Sequence, residues 1–97
     1  MTPARFLQPA EVEMVEAAIY YEEQAEGLGT LFLSTLEGAI RNILENPNAW
    51  PITSNDIRKR IVSKFPYSIL YRVESREIII LAIMHQRRRP GYWIDRV

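Results

Sequence analysis

The first half of the chain carries its apolar residues at helical spacing. In residues 9–26 an apolar residue recurs every three or four positions and glutamates occupy the other faces, which predicts a first helix. The apolar positions of this stripe are Val12, Val15 and Ile19. Pro9 suits the first helical turn, and the segment before it, residues 4–8 (ARFLQ), is predicted to form a short strand.

A second helix is predicted from the turn at Gly27-Leu28-Gly29 to about Glu45. Glycine ends helices and permits left-handed turns, so this triplet separates the two helices. A wide apolar stripe then follows, formed by Phe32, Leu33, Leu36, Ala39, Ile40, Ile43 and Leu44. Asn46-Pro47 ends the helix, because the residue before a proline is driven out of the helical region. The short connection between the helices predicts an antiparallel hairpin.

The second half of the chain changes to a period of two, which is typical of strands. Residues 47–56 (PNAWPITSND) are rich in turn-forming residues and are predicted to be a loop. In residues 57–64 the two faces alternate, with Arg58, Arg60, Val62 and Lys64 opposite Ile57, Lys59, Ile61 and Ser63. Residues 67–74 (YSILYRVE) and 77–84 (EIIILAIM) predict two further strands around a turn at Ser75-Arg76. The last strand is apolar on both faces, as a central strand would be.

In the strand predicted over residues 67–74, Ile69, Tyr71 and Val73 face the same side of the sheet. The order strand, helix, helix and three strands with short turns predicts an α+β fold. We expect a single domain over residues 1–97, in which a helical hairpin packs on a small twisted antiparallel sheet. The composition, 47% hydrophobic and 25% charged, is ordinary for a globular domain.

Composition also narrows the chemistry. The chain has no cysteine, which excludes disulfides, thiolate catalysis and cysteine-bound metals. No group of histidine, aspartate and glutamate has metal-ligand spacing, so neither a metal nor another cofactor is expected. The start, MTPARFLQPAEVEM, lacks the apolar core of a signal peptide, and the longest aliphatic run, Ile78 to Met84, is too short to cross a bilayer. A cytoplasmic location is therefore expected.

The net charge of zero hides a division between the two halves. Residues 1–49 hold two basic residues and eight glutamates, a net charge of −6. Residues 50–97 hold ten basic and four acidic residues, a net charge of +6. Such asymmetry indicates a basic functional face, although glutamate-rich helices and arginine-rich strands can also be simply solvated.

The candidate chemistry lies at the end of the last strand, in LAIMHQRRRP (residues 81–90). His85, the chain's only histidine, could act as a general base or bind a phosphate, although a lone histidine at a strand end is more often structural. If the strands lie close together, six cations converge near Tyr92 and Trp93. They are Arg58, Arg60, Lys64, Arg87, Arg88 and Arg89. Arginine forks suit phosphates and bases, and they equally suit acidic protein partners.

Four segments together resemble the RelE/ParE superfamily of bacterial toxins. They are YYEEQ with the following GLG and Phe32, the ENP stop, FPYSILYRVE, and LAIMHQRRRPGYW. The resemblance runs from about Phe6 to Arg96, and the last two segments are more similar to ParE-type than to RelE-type toxins. It implies the toxin of a type II toxin–antitoxin module, neutralised by a cognate antitoxin whose flexible C-terminal part wraps the toxin.

The resemblance also implies two alternative targets. ParE-type toxins inhibit DNA gyrase, whereas RelE-type toxins cut messenger RNA on the ribosome with scattered basic residues and often a C-terminal tyrosine. RelE-type toxins typically have an arginine at the position of Ser68, and a neutral hydroxyl cannot stabilise phosphorane charge there. We therefore expect a gyrase inhibitor first and a ribosome-dependent endoribonuclease second. A non-toxic corepressor is a third possibility.

The residues that we assign to target binding are Arg58, Arg60, His85, Arg87, Arg88, Arg89, Tyr92 and Trp93. For a ribonuclease, the catalytic candidates are Arg88, Tyr92 and His85. The groove between hairpin and sheet, and any open strand edge, suit an amphipathic helix and a strand of the antitoxin. Acidic residues of the antitoxin would complement the +6 half. A homodimer of the toxin within the complex is a further possible arrangement.

Overall fold

A computed structural model describes residues 4–97, and the order of its elements is that of an α+β fold. The elements are β1 (Ala4–Phe6), α1 (Gln8–Gln24), α2 (Leu28–Glu45), β2 (Ile52–Ser54), β3 (Ile57–Ile61), β4 (Tyr67–Val73), β5 (Ile78–His85) and a short 3-10 helix (Ile94–Arg96). The first three residues of the predicted domain lie outside the described residues.

One five-stranded sheet, in the order β1-β5-β4-β3-β2, supports the helical hairpin. β5 lies inside the sheet and is buried from Ile78 to Ile83, which confirms the central strand predicted from its two apolar faces. β2, β3, β4 and β5 are antiparallel neighbours, but β1 pairs with β5 in parallel. The sheet is therefore mixed, and the prediction of a purely antiparallel sheet was wrong. The chain between β1 and β5, which includes both helices, is long enough for the crossover that a parallel pair requires.

The strand bounds differ from the predictions mainly in β1, β2 and β3, whereas β4 and β5 differ by no more than one residue at either end. β2 lies within the predicted loop, and all three of its residues are exposed, so no buried alternation marks it in the sequence. β3 ends at Ile61 instead of residue 64, because the chain turns and Lys64 adopts a positive φ of 71°. β1 is limited to three residues, after which α1 begins with Pro9 in its first turn.

The face of the sheet that packs on the two helices is the hairpin face. On it, Ile69 and Tyr71 of β4 are fully buried, whereas Val73, at the end of the same strand, is exposed. The α2 stripe is confirmed for Phe32, Leu36, Ala39 and Ile43, which are buried, and Ile40 and Leu44 pack partly buried against the same core. Leu33 was wrongly included in the stripe, since it is 40% exposed. Other members of this core are Val62, Phe65, Ile78, Ile80 and Ile83.

The predicted apolar stripe of α1 was wrong. Val12, Val15 and Ile19 are 46%, 46% and 54% exposed. The buried residues of α1 are instead the alanines Ala10, Ala17 and Ala18, with Met14 and Tyr21 packed beside them. Small side chains let the helix axis approach its neighbours closely, which leaves the larger apolar residues on the solvent side.

The opposite, outer face of the sheet has a second, smaller core. It contains Ile57, Leu70, Ile79, Leu81, Ala82 and Trp93. Trp93 comes from the chain that follows β5, so residues 86–97, here called the C-terminal segment, cover part of this face in place of a helix.

Candidate functional site

The C-terminal segment is a series of turns anchored by one tryptophan. The backbone N–H groups of Arg88, Tyr92 and Arg96 each donate to a carbonyl three positions earlier. Gly91 takes a positive φ of 76°, a conformation that favours glycine. Trp93 is only 5% exposed. Trp93, assigned to target binding from the sequence, is thus an anchor of the segment instead of part of its surface.

Glu13 of α1 holds the other side of the C-terminal segment. Its Oε1 accepts hydrogen bonds from the Ile83 backbone N–H at 3.0 Å and from Arg96 Nη1 at 2.9 Å. Its Oε2 accepts from the Tyr92 hydroxyl at 2.7 Å and from Arg96 Nη2 at 3.0 Å. The two side chains of the Glu13–Arg96 pair are 17–18% exposed, which makes it the least exposed ion pair among the described residues.

The position of Glu13 was not predicted. The sequence places it among the solvated glutamates of the first helix, and its partners lie 70 to 83 positions away. No local pattern carries a signal for such a contact. Arg96, its ion-pair partner, was likewise absent from the predicted site.

Tyr92 lies beneath the guanidinium of Arg88, whose Cζ is 4.0 Å from the ring centroid. Burial and the hydrogen bond to Glu13 raise the pKa of the Tyr92 hydroxyl above its ordinary value. The hydrogen bond to Glu13 likewise raises the pKa of Arg96. Tyr92 therefore keeps its proton, and its hydroxyl donates to a protein carboxylate instead of facing a substrate.

His85 and Arg88 line a pocket of about 290 Å³, together with Glu13, Tyr67 and Tyr92. The His85 ring meets Tyr67 edge-on, with centroids 5.0 Å apart. Its Nδ1 accepts a hydrogen bond from the Arg87 backbone N–H at 3.0 Å. That nitrogen is occupied by the backbone, and it is therefore not available to take a proton from a substrate.

Arg58 and Arg60 belong to a different part of the molecule. Arg58 Nη1 donates to the carbonyl of Trp50 at 2.6 Å, and Arg60 Nη2 donates to Asn42 Oδ1 at 3.1 Å. Arg60 also lies over the Trp50 ring, at 4.9 Å from its centroid. These two arginines hold the chain after α2 against the sheet. Their contacts do not bring them together with Arg87, Arg88 and Arg89.

Arg87, Arg88 and Arg89, here called the arginine triad, are exposed, and Arg88 lines the pocket. The ion pairs found within residues 4–97 involve other arginines, namely Arg5, Arg41, Arg72 and Arg96. The triad is therefore a concentration of positive charge without carboxylate partners. It lies on a segment fixed by Trp93 on one side and by Glu13 on the other.

The outer face of the sheet carries one further cation, Lys59, which the sequence placed on the strand face opposite Arg58 and Arg60. Lys59 and Arg88 line a pocket of about 280 Å³ with Gln86 and Trp93.

Ser68 is buried at 3% exposure. It therefore presents no group to a ligand on the surface.

An apolar groove lies on the outside of the hairpin. It has a volume of about 390 Å³ and is lined by Met14, Val15, Ala18, Ile19, Glu22, Gly29, Thr30 and Leu33. Exposed apolar residues collected in one groove mark an interaction surface more often than scattered ones do. The sequence predicted a partner groove between hairpin and sheet, whereas this one lies between the two helices.

No cluster of potential metal ligands occurs among residues 4–97. Over the same range, neither helix combines the length and apolar character that a bilayer crossing requires.

Comparisons with known proteins relate nearly the whole chain to one family. The family model described as the ParE toxin of the type II toxin–antitoxin system parDE matches residues 4–90. A solved structure described as the chromosomal ParDE TA system from P. aeruginosa superposes with a TM-score of 0.65. It is 18% identical, and the match covers 88% of this chain and 96% of that one, so it shows the fold. A comparison with curated protein sequences found no match.

Proposed function

Because the chain belongs to the ParE toxin family of type II toxin–antitoxin systems, we propose that it inhibits DNA gyrase by binding and is neutralised by its cognate antitoxin. The inhibition requires no chemistry by the toxin itself. The observation that carries this proposal is the arginine triad, an exposed set of three cations on a rigid base. Such a surface binds a phosphate backbone or an acidic protein face.

The geometry of Tyr92 favours binding over catalysis. A ribonuclease needs a group that takes the 2′-hydroxyl proton and cations aimed at the developing charge. The Tyr92 hydroxyl is directed at Glu13, and His85 Nδ1 is occupied by the backbone. Arg58 and Arg60 donate to protein oxygens. Tyr92, His85 and Arg88 line one pocket, but neither the Tyr92 hydroxyl nor His85 Nδ1 is available there to take a proton.

One observation favours the ribosome-dependent endoribonuclease as the second candidate. Lys59 and Arg88 share the outer-face pocket, whose lining contains no carboxylate. Such a pocket could hold an RNA phosphate. Ser68 is buried and uncharged, so it supplies no third charge.

We assign the antitoxin to two surfaces of opposite character. The apolar groove of the hairpin suits an amphipathic helix, whose apolar face would cover Val15 and Ile19. Glu22 lines this groove, so the antitoxin helix is expected to carry a basic residue at its edge. An acidic segment of the antitoxin would cover the arginine triad and block its access to the target. A second toxin molecule on the groove is the competing arrangement.

The first experiment is a gyrase assay with toxin released from its antitoxin. Relaxed plasmid, ATP and gyrase are incubated with increasing toxin, and both supercoiling and trapped linear DNA are measured. We expect supercoiling to fall, linear DNA to accumulate, and both effects to disappear when antitoxin is restored. Unchanged supercoiling at a several-fold molar excess of toxin would reject gyrase as the target, and cleavage of ribosome-bound message would then be measured.

A variant pair tests the assigned surface. The variant Arg87→Ala/Arg88→Ala/Arg89→Ala removes the triad, and Arg5→Ala/Arg41→Ala/Arg76→Ala removes the same charge from exposed sites elsewhere. We expect the first to lose gyrase inhibition and the second to retain it. Equal inhibition by both would place the target surface outside the triad.

A further inference from the structure

β5 extends beyond its partner β1 on one side of the sheet. The last β1 register pair is Phe6 with Ile80, and the Leu7 N–H donates to the Ile80 carbonyl at 3.0 Å. β5 continues to His85 without a strand on that side. An unpaired stretch of strand edge leaves backbone groups that need other partners, because a buried unpaired N–H or C=O is costly.

Two side chains supply those partners. Glu13 Oε1 accepts from the Ile83 N–H at 3.0 Å, and Arg96 Nη1 donates to the Leu81 carbonyl at 3.0 Å. The Glu13–Arg96 pair thus replaces the missing strand, with one residue from α1 and one from the end of the C-terminal segment. The pair also connects α1 to β5 and to the C-terminal segment, which lie 70 to 83 positions further along the chain.

The carboxylate of Glu13 is fully used by these contacts. It accepts four hydrogen bonds, two at each oxygen, from Ile83, Tyr92 and Arg96. Four is about the number that an ionised carboxylate can accept. No lone pair remains for a ligand or for proton transfer, so the role of Glu13 is structural. Glu13 with its partners Tyr92 and Arg96 is called the fork here, because the charge-assisted bonds to Arg96 are paired and fix its orientation.

The fork reaches the arginine triad through Tyr92. The Tyr92 hydroxyl is fixed by Glu13, and the Tyr92 ring supports the Arg88 guanidinium at 4.0 Å. Arg96 lies over the same ring, with its Cζ 5.0 Å from the centroid. Cations held over an aromatic face keep a defined position that a solvated arginine lacks.

We infer that Glu13 is a positioning residue for the target surface: it holds the C-terminal segment through Tyr92 and Arg96 and thereby fixes the backbone that carries the arginine triad and the position of the Arg88 guanidinium. It does not contact the target. Binding that begins from an ordered surface loses less conformational entropy, so loosening the segment weakens binding without removing any of the triad's charges. This effect on the target rests on the proposed function, whereas the ordering of the segment does not.

The test compares Glu13→Gln with Glu23→Gln, a charge-matched change at an exposed position of the same helix. Amide hydrogen exchange is followed across the whole chain at a temperature where both variants are folded. For Glu13→Gln we expect exchange in residues 86–97 to accelerate by about tenfold or more, while α2, β3 and β4 retain their protection. Glu23→Gln should exchange like the original protein. Acceleration spread evenly over all elements, or none in residues 86–97, would overturn the inference.

The double variant Glu13→Gln/Arg96→Gln examines whether the two residues act together. If they form one fork, exchange in the double variant resembles that of the single variant, because the interaction is already lost. Additive acceleration would contradict a shared role. Should Glu13→Gln fail to fold, Tyr92→Phe removes one arm of the fork, and faster exchange confined to residues 86–97 remains the expected result.

The gyrase assay then separates the positioning role from general stability. With Glu13→Gln, the concentration for half-maximal inhibition should rise by about tenfold or more while the protein remains folded. Faster exchange with unchanged inhibition would refute the positioning role. If the original protein does not inhibit gyrase, the proposed function fails, and the exchange measurements still decide whether Glu13 orders the segment.

Discussion

Gly29 of α2 lies directly against the backbone of Ala18 in α1. A Cβ added at Gly29 would collide with the Ala18 carbonyl oxygen and would meet the Glu22 side chain at 3.0 Å. The two helices therefore cross at a point where only a glycine fits. This contact explains why α1 faces the core with alanines, since both helices bring small residues to the place where they approach closest.

The crossing predicts opposite effects for two glycine substitutions in α2. Gly29→Ala should lower the free energy of unfolding by about 1–3 kcal/mol, because the added methyl overpacks the contact. Gly38→Ala is the matched control, since its Cβ would meet only Arg41 Nη2 at 3.9 Å. It should raise stability by up to about 0.5–1 kcal/mol through helix propensity. Urea denaturation measures both, and a stabilising Gly29→Ala would show that the hairpin can separate without cost.

Tyr71 predicts a second stability effect. Its side chain is fully buried, and its hydroxyl donates to the Pro47 carbonyl at 2.6 Å, which ties the chain after α2 to β4. Tyr71→Phe should cost about 1–2 kcal/mol, because the partly buried Pro47 carbonyl loses its donor. The exposed Tyr20→Phe should change stability by less than about 0.5 kcal/mol. Equal denaturation midpoints for the two variants would disprove the contribution of the Pro47 bond.

Glu22 gives α2 a pH-dependent cap. Its two oxygens accept from the Gly27 and Gly29 N–H groups, each at 2.9 Å. These bonds, that from Gly27 first, hold the pKa of Glu22 below its ordinary value. A carboxylate with a lowered folded pKa stabilises the protein above its unfolded pKa, and the contribution is lost as the pH falls through the folded pKa. Glu22→Gln should therefore be less stable than the original protein at neutral pH.

The difference between Glu22→Gln and the original protein should shrink as the pH falls below the unfolded pKa of a glutamate. Thermal unfolding over a series of acidic buffers measures this dependence. Glu26→Gln, an exposed change in the same turn, serves as the control and should show a smaller pH-dependent difference. A constant difference across the series would show that charge on Glu22 does not contribute to the cap.

Substitutions in the hairpin groove should weaken antitoxin binding without changing the stability of the fold. Val15→Ser and Ile19→Ser should each leave the unfolding free energy within about 0.5 kcal/mol of the original value, because both side chains are about half exposed. Antitoxin affinity should fall by at least about tenfold for each, since a large apolar side chain buried at an interface contributes roughly 1.5–3 kcal/mol. Calorimetric titration measures the affinity.

Ile61→Ser is the control for the groove, because Ile61 is 66% exposed on β3, away from the helices. It should bind the antitoxin as the original chain does. Unchanged affinity of the groove variants, combined with a loss of toxin self-association, would assign the groove to a second copy of the chain.

Short-range patterns in the sequence were sufficient to predict several of the elements. The α2 stripe, the stop at Asn46-Pro47 and the two-sided burial of β5 each follow from neighbours within a few positions, and the structure has all three. The same holds for the α+β order and for the exposed arginine triad, which follows a central strand at a chain turn. The resemblance to ParE-type toxins rested on these same local segments, and the family match confirms it.

Contacts between residues that are far apart in the sequence became evident only in the folded chain. The parallel pairing of β1 with β5, the exposed face of α1 and the fork at Glu13 all join segments about 70 or more positions apart, or depend on how closely two helices approach. Helical spacing identifies a stripe of large apolar residues, but packing at a crossing selects small ones. From the sequence, Glu13 could be either a solvated glutamate or a partner of distant groups. In the folded chain the unpaired edge of β5 supplies groups that need partners, and Glu13 bonds to one of them.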